Sequence, residues 1–317
     1  MARLLDAIRP WARSMKYGRL YRRATREAGG EDDSPLAPPP CFVLGCGRSG
    51  TTIAGALLGA HPQVHYLREP YYIWRAVDPA SDMVRFFGDA RKPPRCIMGE
   101  EAVTEAACGR FARCMRAEMR RGGQRSCLIE KSPINAMRIP FIAGVAPGCK
   151  VMHLVRNGVD VVRSIERLAR TNSYQLGGGG DWNQWWGRDD CKWEALVRDA
   201  AAYDWFKEDL GAIDGDLARG ALEWLISLGE IERHRDLLGD RLIEVRYDRL
   251  TEQPREELTR VREHFGLAED PVWMDGCCEQ LDSARSNPGT ELRLPPSMAE
   301  AFNDWQARYD FDGQAGE

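Results

Sequence analysis

Residues 41–52 read Cys-Phe-Val-Leu-Gly-Cys-Gly-Arg-Ser-Gly-Thr-Thr, and no other segment constrains the fold as strongly. The apolar run 41–44 has the pattern of a buried strand. Gly45-Cys-Gly-Arg-Ser-Gly50 is a tight loop, and Ile53, Ala54, Leu57 and Leu58 mark the apolar side of a helix over 51–60. A strand, a glycine-rich loop and a helix N-terminus together form an anion cradle. Backbone N–H groups and the positive end of the helix dipole converge on one point. Gly45 and Gly50 have P-loop spacing, yet a nucleotide-hydrolysing loop continues with Lys and then Ser or Thr, for the terminal phosphates and magnesium. Here Thr51 holds the lysine position, and the cation, Arg48, lies inside the loop. The cradle is kept; the ATP–magnesium machinery is not.

The 317 residues, 43% of them hydrophobic, suffice for one large α/β domain. A net charge of −4 argues against nucleic acid as a partner. No apolar run approaches the roughly 20 residues that span a bilayer, and no export signal is visible, so a cytoplasmic location is expected. The ten cysteines are scattered through apparent core segments and read as reduced thiols. No C-x-x-C pair occurs, and no metal site is expected.

Two regions are anticipated: a basic arm with a Pro-rich linker over 1–40, and a catalytic domain over 41–317. In residues 1–29, Arg3, Arg9, Arg13, Lys16, Arg19, Arg22, Arg23 and Arg26 face only Asp6 and Glu27, with Leu4, Ile8, Trp11 and Met15 interspersed. Pro10 is expected to kink any helix there. This pattern fits an amphipathic segment peripheral to the inner, anionic membrane surface. It also fits a solvated helix, or an arm packed on the domain or on a second subunit of a homodimer. From Cys41 onward, strands at 41–46, 64–67, 126–130, 150–155 and 241–246 alternate with helices at 51–60, 71–77, 100–121, 134–144, 158–170, 191–210, 216–237 and 254–265. That alternation predicts an α/β fold, a P-loop-like central parallel sheet flanked by helices. Ligands of such a sheet bind beyond the carboxyl ends of its strands.

The strand at 150–155 is followed by Arg156, where a nucleotide hydrolase is expected to carry a magnesium-organising Asp, and Ser164 lies eight residues on. Arg suits bidentate phosphate binding and the serine adds a hydrogen bond, so a second anion site without metal is expected.

Taken together, Gly47-Arg-Ser-Gly-Thr-Thr52 and Arg156…Ser164 resemble the 5′-phosphosulfate loop and 3′-phosphate motif of sulfotransferases that use 3′-phosphoadenylyl sulfate. Residues 61–74 and the stretch from Tyr247 to Leu267 are similar to further pieces of that superfamily, in particular its carbohydrate and tyrosylprotein branches. The resemblance spans roughly residues 41–270. It implies that Gly47, Arg48, Ser49, Gly50, Thr51, Thr52, Arg156, Ser164, Tyr247 and Arg285 hold the donor, with the adenosine bisphosphate as product. The implied acceptor is a hydroxyl on a carbohydrate, glycolipid or small molecule.

Sulfuryl transfer needs a base for the acceptor proton and cations for the sulfate and the leaving phosphate. Glu69 lies 21 residues beyond Arg48, the interval at which the tyrosylprotein enzymes place their base. Lys131 matches the family's Lys-x-Pro element, and Arg48 completes the catalytic set. Glu130 is the second candidate base, although alternation sends it to the face opposite Lys131. The glycine- and tryptophan-rich stretch 171–190 reads either as a closing loop over the acceptor or as a turn whose Trp185 and Trp186 pack on the core. The competing functions are a P-loop kinase or hydrolase and a non-catalytic nucleotide-binding scaffold.

Overall fold

Five parallel strands stand at the centre of the computed structural model, which describes residues 2–32, 34, 36–88, 92–281 and 292–316. They are β1 (Cys41–Leu44), β2 (Val64–Arg68), β3 (Cys127–Lys131), β4 (Val151–Val155) and β5 (Leu242–Arg246), in the spatial order 2-3-1-4-5. The register pairs Val43 with Lys131 on one side and with Met152 on the other. Every residue of β1 and β4 is buried, as parallel strands covered on both faces require. Alternation divides the core. Phe42 and Leu44 join Trp74, Phe111 and Phe141 on one side, whereas Val43, Met152 and Leu154 join Leu57, Leu58 and Phe265 on the other.

The chain leaves β1 for the sheet edge at β2, returns to β3 beside β1, and then crosses to β4 on the far flank. The carboxyl end of β1 is therefore a topological switch point, where crossovers diverge and leave a crevice. Helices α2 (Thr51–Gly59), α3 (Tyr71–Val77), α4 (Glu105–Gly122), α5 (Ile139–Val145), α6 (Gly158–Thr171), α7 (Cys191–Ala202) and α8 (Gly215–Arg233) cover the sheet.

Several anticipated elements differ in extent. The strand at 41–46 stops at Leu44, because Gly45 turns at φ 145° with its Cα against the Leu154 carbonyl, where a β-carbon would sit 2.3 Å away. The helix at 134–144 is a 3₁₀ turn (Pro133–Met137) followed by α5. The helix at 191–210 ends at Ala202, since Asp204 and Phe206 adopt left-handed backbone at φ 58° and 49°.

The basic arm is one helix, α1 (Ala2–Ala28), which runs through Pro10. It lies against the domain. Arg23 donates to Glu118 at 2.9 Å, Arg113 donates to the Ala28 carbonyl at 2.9 Å, and Ser14 donates to the Gly177 carbonyl at 3.1 Å. The Pro10 carbonyl accepts from Gly177 N–H at 3.2 Å. All ten cysteines carry free thiols, seven of them buried.

Candidate active site

The loop at 45–50 closes on itself through Ser49 N–H to the Cys46 carbonyl, 3.1 Å, with Ser49 and Thr51 buried. Gly50 takes φ 93° and lies flat against Tyr247, where a β-carbon would strike the ring at 2.3 Å. Glycine is the residue that combines this left-handed turn with so close an approach. Trp185 seals the other flank, its ring 2.4 Å from where a Gly47 β-carbon would sit. The Trp185 indole N–H donates to Glu223 at 2.9 Å, and Lys192 donates to the same carboxylate at 2.8 and 2.7 Å. Lys192 and Glu223 are both buried, and the ammonium stands 4.3 Å from the Trp185 ring. The cradle thus rests on a buried ion pair.

Arg48 is the exposed member of the loop and, at φ 74°, a left-handed one. Its Nε donates to Ser164 Oγ at 2.9 Å, so α6 fixes its direction. Arg156 donates to the Arg48 carbonyl at 3.3 Å and to Asp160 at 3.1 Å, and lies 4.7 Å from the centre of the Tyr247 ring. The Nε of Arg156 is buried and without a hydrogen-bond partner. Partial desolvation lowers the Arg48 pKa, and the nearby Arg156 charge adds to this. Among the described residues no carboxylate approaches Arg48 within 4 Å. Two guanidinium groups repel here, and an anion between them relieves the repulsion.

A third group completes the crevice. Lys131 is fully buried at the end of β3, its ammonium donating to Thr52 Oγ1 at 2.8 Å and to the Glu69 carboxylate. Burial lowers the lysine pKa and the Glu69 charge opposes that shift. Glu69 follows β2 with left-handed backbone, φ 48°, while its N–H donates to the Lys131 carbonyl at 2.7 Å. The strained turn breaks strand alternation, so Glu69 turns to Lys131 instead of to Arg68 or Arg75. The carboxylate keeps 32% of its side chain exposed, open to a ligand.

Glu130 faces the opposite side of the sheet. It is fully buried and accepts from Trp74 at 3.0 Å, from Asn135 at 3.1 Å and from Ser132. Burial pushes its pKa up to about 7 against the pull of those donors. A carboxyl so enclosed has no path to an acceptor.

Trp186 is buried and donates to Asp216 at 2.6 Å, and Trp182 is buried too. Of the two readings of 171–190, these tryptophans follow the packed one. The structure adds residues that the sequence did not single out. Tyr17 of α1 meets Tyr174 hydroxyl to hydroxyl at 3.2 Å and packs edge-on to Phe86 at 4.3 Å. Asp160, in the first turn of α6, pairs with Arg156 just ahead of that helix. Lys192 and Tyr17 come from distant segments and had no local signal. Arg285 lies outside the described residues.

The sulfotransferase family model matches residues 39–271, most of the chain. Human carbohydrate sulfotransferase 6 is 28% identical over 203 residues, which are 49% of this chain and 50% of that protein. A Drosophila melanogaster protein-tyrosine sulfotransferase is 28% identical over 127 residues, 40% of this chain and 25% of its own length. The chain thus spans half or less of the curated relatives it matches here. Among solved structures, the sulfotransferase domain of the Synechococcus PCC 7002 olefin synthase superposes with a TM-score of 0.52 at 20% identity, covering 89% of this chain and 98% of that domain. That likeness is one of fold, and the family match extends from the residues before the glycine loop to those beyond Tyr247. The chain belongs to the sulfotransferase family.

Proposed function

We propose that this protein transfers a sulfuryl group from 3′-phosphoadenylyl sulfate to a hydroxyl of a carbohydrate, glycolipid or small-molecule acceptor. One observation carries the reading: the buried Lys131 ammonium joins Thr52 of the loop to Glu69, bringing an anion cradle, a cation and a base to one point. The residues fit a nucleotide with two separate anionic groups. Backbone N–H groups over 47–52 suit its 5′-phosphosulfate. Arg156, with an unsatisfied buried Nε, and Ser164 suit its 3′-phosphate.

The donor supplies the activated sulfuryl group, and the chain's own groups do the rest. Glu69 accepts the acceptor's hydroxyl proton as the new oxygen–sulfur bond forms. The bond from sulfur to the 5′-phosphate oxygen breaks, and adenosine 3′,5′-bisphosphate leaves. Lys131 and Arg48 hold the charge that grows on the leaving phosphate. Sugar and tyrosine hydroxyls are the acceptors to try first, given the named relatives.

Calorimetric titration with adenosine 3′,5′-bisphosphate in EDTA, run beside ATP with magnesium, tests the donor. Tight bisphosphate binding that weakens in Arg156→Ala is expected. Binding of ATP–magnesium alone overturns the reading in favour of a kinase.

A further inference from the structure

Helix α1 has two unlike faces. Its inner face carries the contacts of Arg13, Ser14, Tyr17 and Arg23 to the domain: Arg13 lies 4.2 Å from the centre of the Tyr174 ring and donates to the Gln175 carbonyl at 3.1 Å. The acidic residue Glu27 is taken up there by Arg121 and Arg23. The outer face presents Trp11, 62% exposed, and Met15, 39% exposed, beside a shallow open hollow. Lys16, Arg19, Arg22 and Arg26 continue that exposed face along the helix, and among the described residues none has a carboxylate within 4 Å. In a chain of net charge −4, unpaired positive charge has been gathered onto one ridge around an indole and a thioether.

We propose that the outer face of α1 docks on an anionic lipid surface. The cations supply attraction to anionic headgroups, Trp11 and Met15 enter the interface, and the long basic stems lie along it. No described helix is long and apolar enough to cross a membrane, so the contact is peripheral. A second copy of the chain is disfavoured as occupant, because two-fold pairing sets this cationic ridge against itself. A purely acidic protein groove would use the charges and leave Trp11 without a role.

The test is co-sedimentation of the full chain with vesicles of phosphatidylcholine alone and of phosphatidylcholine mixed with phosphatidylglycerol. Binding to the anionic vesicles only is expected. It should weaken at high salt, fall about a hundredfold in K16E/R19E/R22E, and weaken in W11A. Equal or absent binding to both vesicle types overturns the proposal. So does unchanged binding by the triple variant, or light scattering that shows a dimer dissolved by those substitutions. Titrating each variant with adenosine 3′,5′-bisphosphate shows whether the fold is intact. Should the parent chain bind vesicles and no bisphosphate, the donor reading fails while the docking surface stands.

Discussion

The Lys131 ammonium and the Glu69 carboxylate meet directly although 62 positions separate them in the chain. One ends a central strand; the other hangs on a left-handed turn after the sheet-edge strand. Replacing Glu69 with Gln keeps the shape and removes the proposed base. Transfer is expected to fall by about 10²–10⁴-fold, with bisphosphate affinity within a few-fold of the parent. Labelled-sulfate transfer and calorimetry on the same preparation decide it, and full activity in the Gln variant would remove Glu69 from the mechanism.

Arg156 binds through a planar fork and lies near the face of Tyr247. Arg156→Ala should weaken bisphosphate binding by roughly 10- to 100-fold. Arg156→Lys keeps the charge but loses the fork, and an intermediate affinity is expected. Equal affinities in all three proteins would mean that the arginine merely braces the loop.

Under the cradle, Lys192 and Glu223 are buried together. Lys192→Met leaves Glu223 with the Trp185 indole alone, and a loss of about 3–5 kcal/mol is expected from breaking such a pair. K192M/E223L should recover much of that stability, because no charge is left buried. Denaturant unfolding of the three proteins reads the difference.

Glu130 makes stability depend on pH. Its folded pKa, about 7, stands above the ordinary carboxyl value of 4.5. Above the ordinary value the unfolded chain gives up this proton while the folded chain keeps it. The contribution is therefore complete below the ordinary value and is lost as pH rises toward 7. On the order of 3 kcal/mol is at stake. Glu130→Gln cannot ionise, so its melting temperature should gain on the parent's between pH 5 and pH 8. A constant gap across that range would mean that Glu130 stays ionised.

Much of this site was legible because a parallel sheet gathers the residues that follow its strands. The glycine loop, Glu69 and Arg156 each come immediately after a strand, and Lys131 ends one. What stayed hidden depends on folding over distance. Strand alternation could not foresee the left-handed turn that swings Glu69 onto Lys131. The tryptophans of 171–190 looked equally suited to a closing loop, because their acidic partners Glu223 and Asp216 lie on α8, some 30 positions or more away. The basic arm showed its charge but not its sides, and only packing separates the face that holds Tyr17 from the face that shows Trp11.

Arg48 reaches across to Ser164, while Arg156 reaches back to the Arg48 carbonyl. The two proposed phosphate-binding elements are thereby laced into a single mechanical frame. A nucleotide lacking its second phosphate should therefore do more than bind weakly: it leaves Arg156 slack and the sulfate end out of true. Discrimination between the two nucleotides would then show in turnover as well as in affinity.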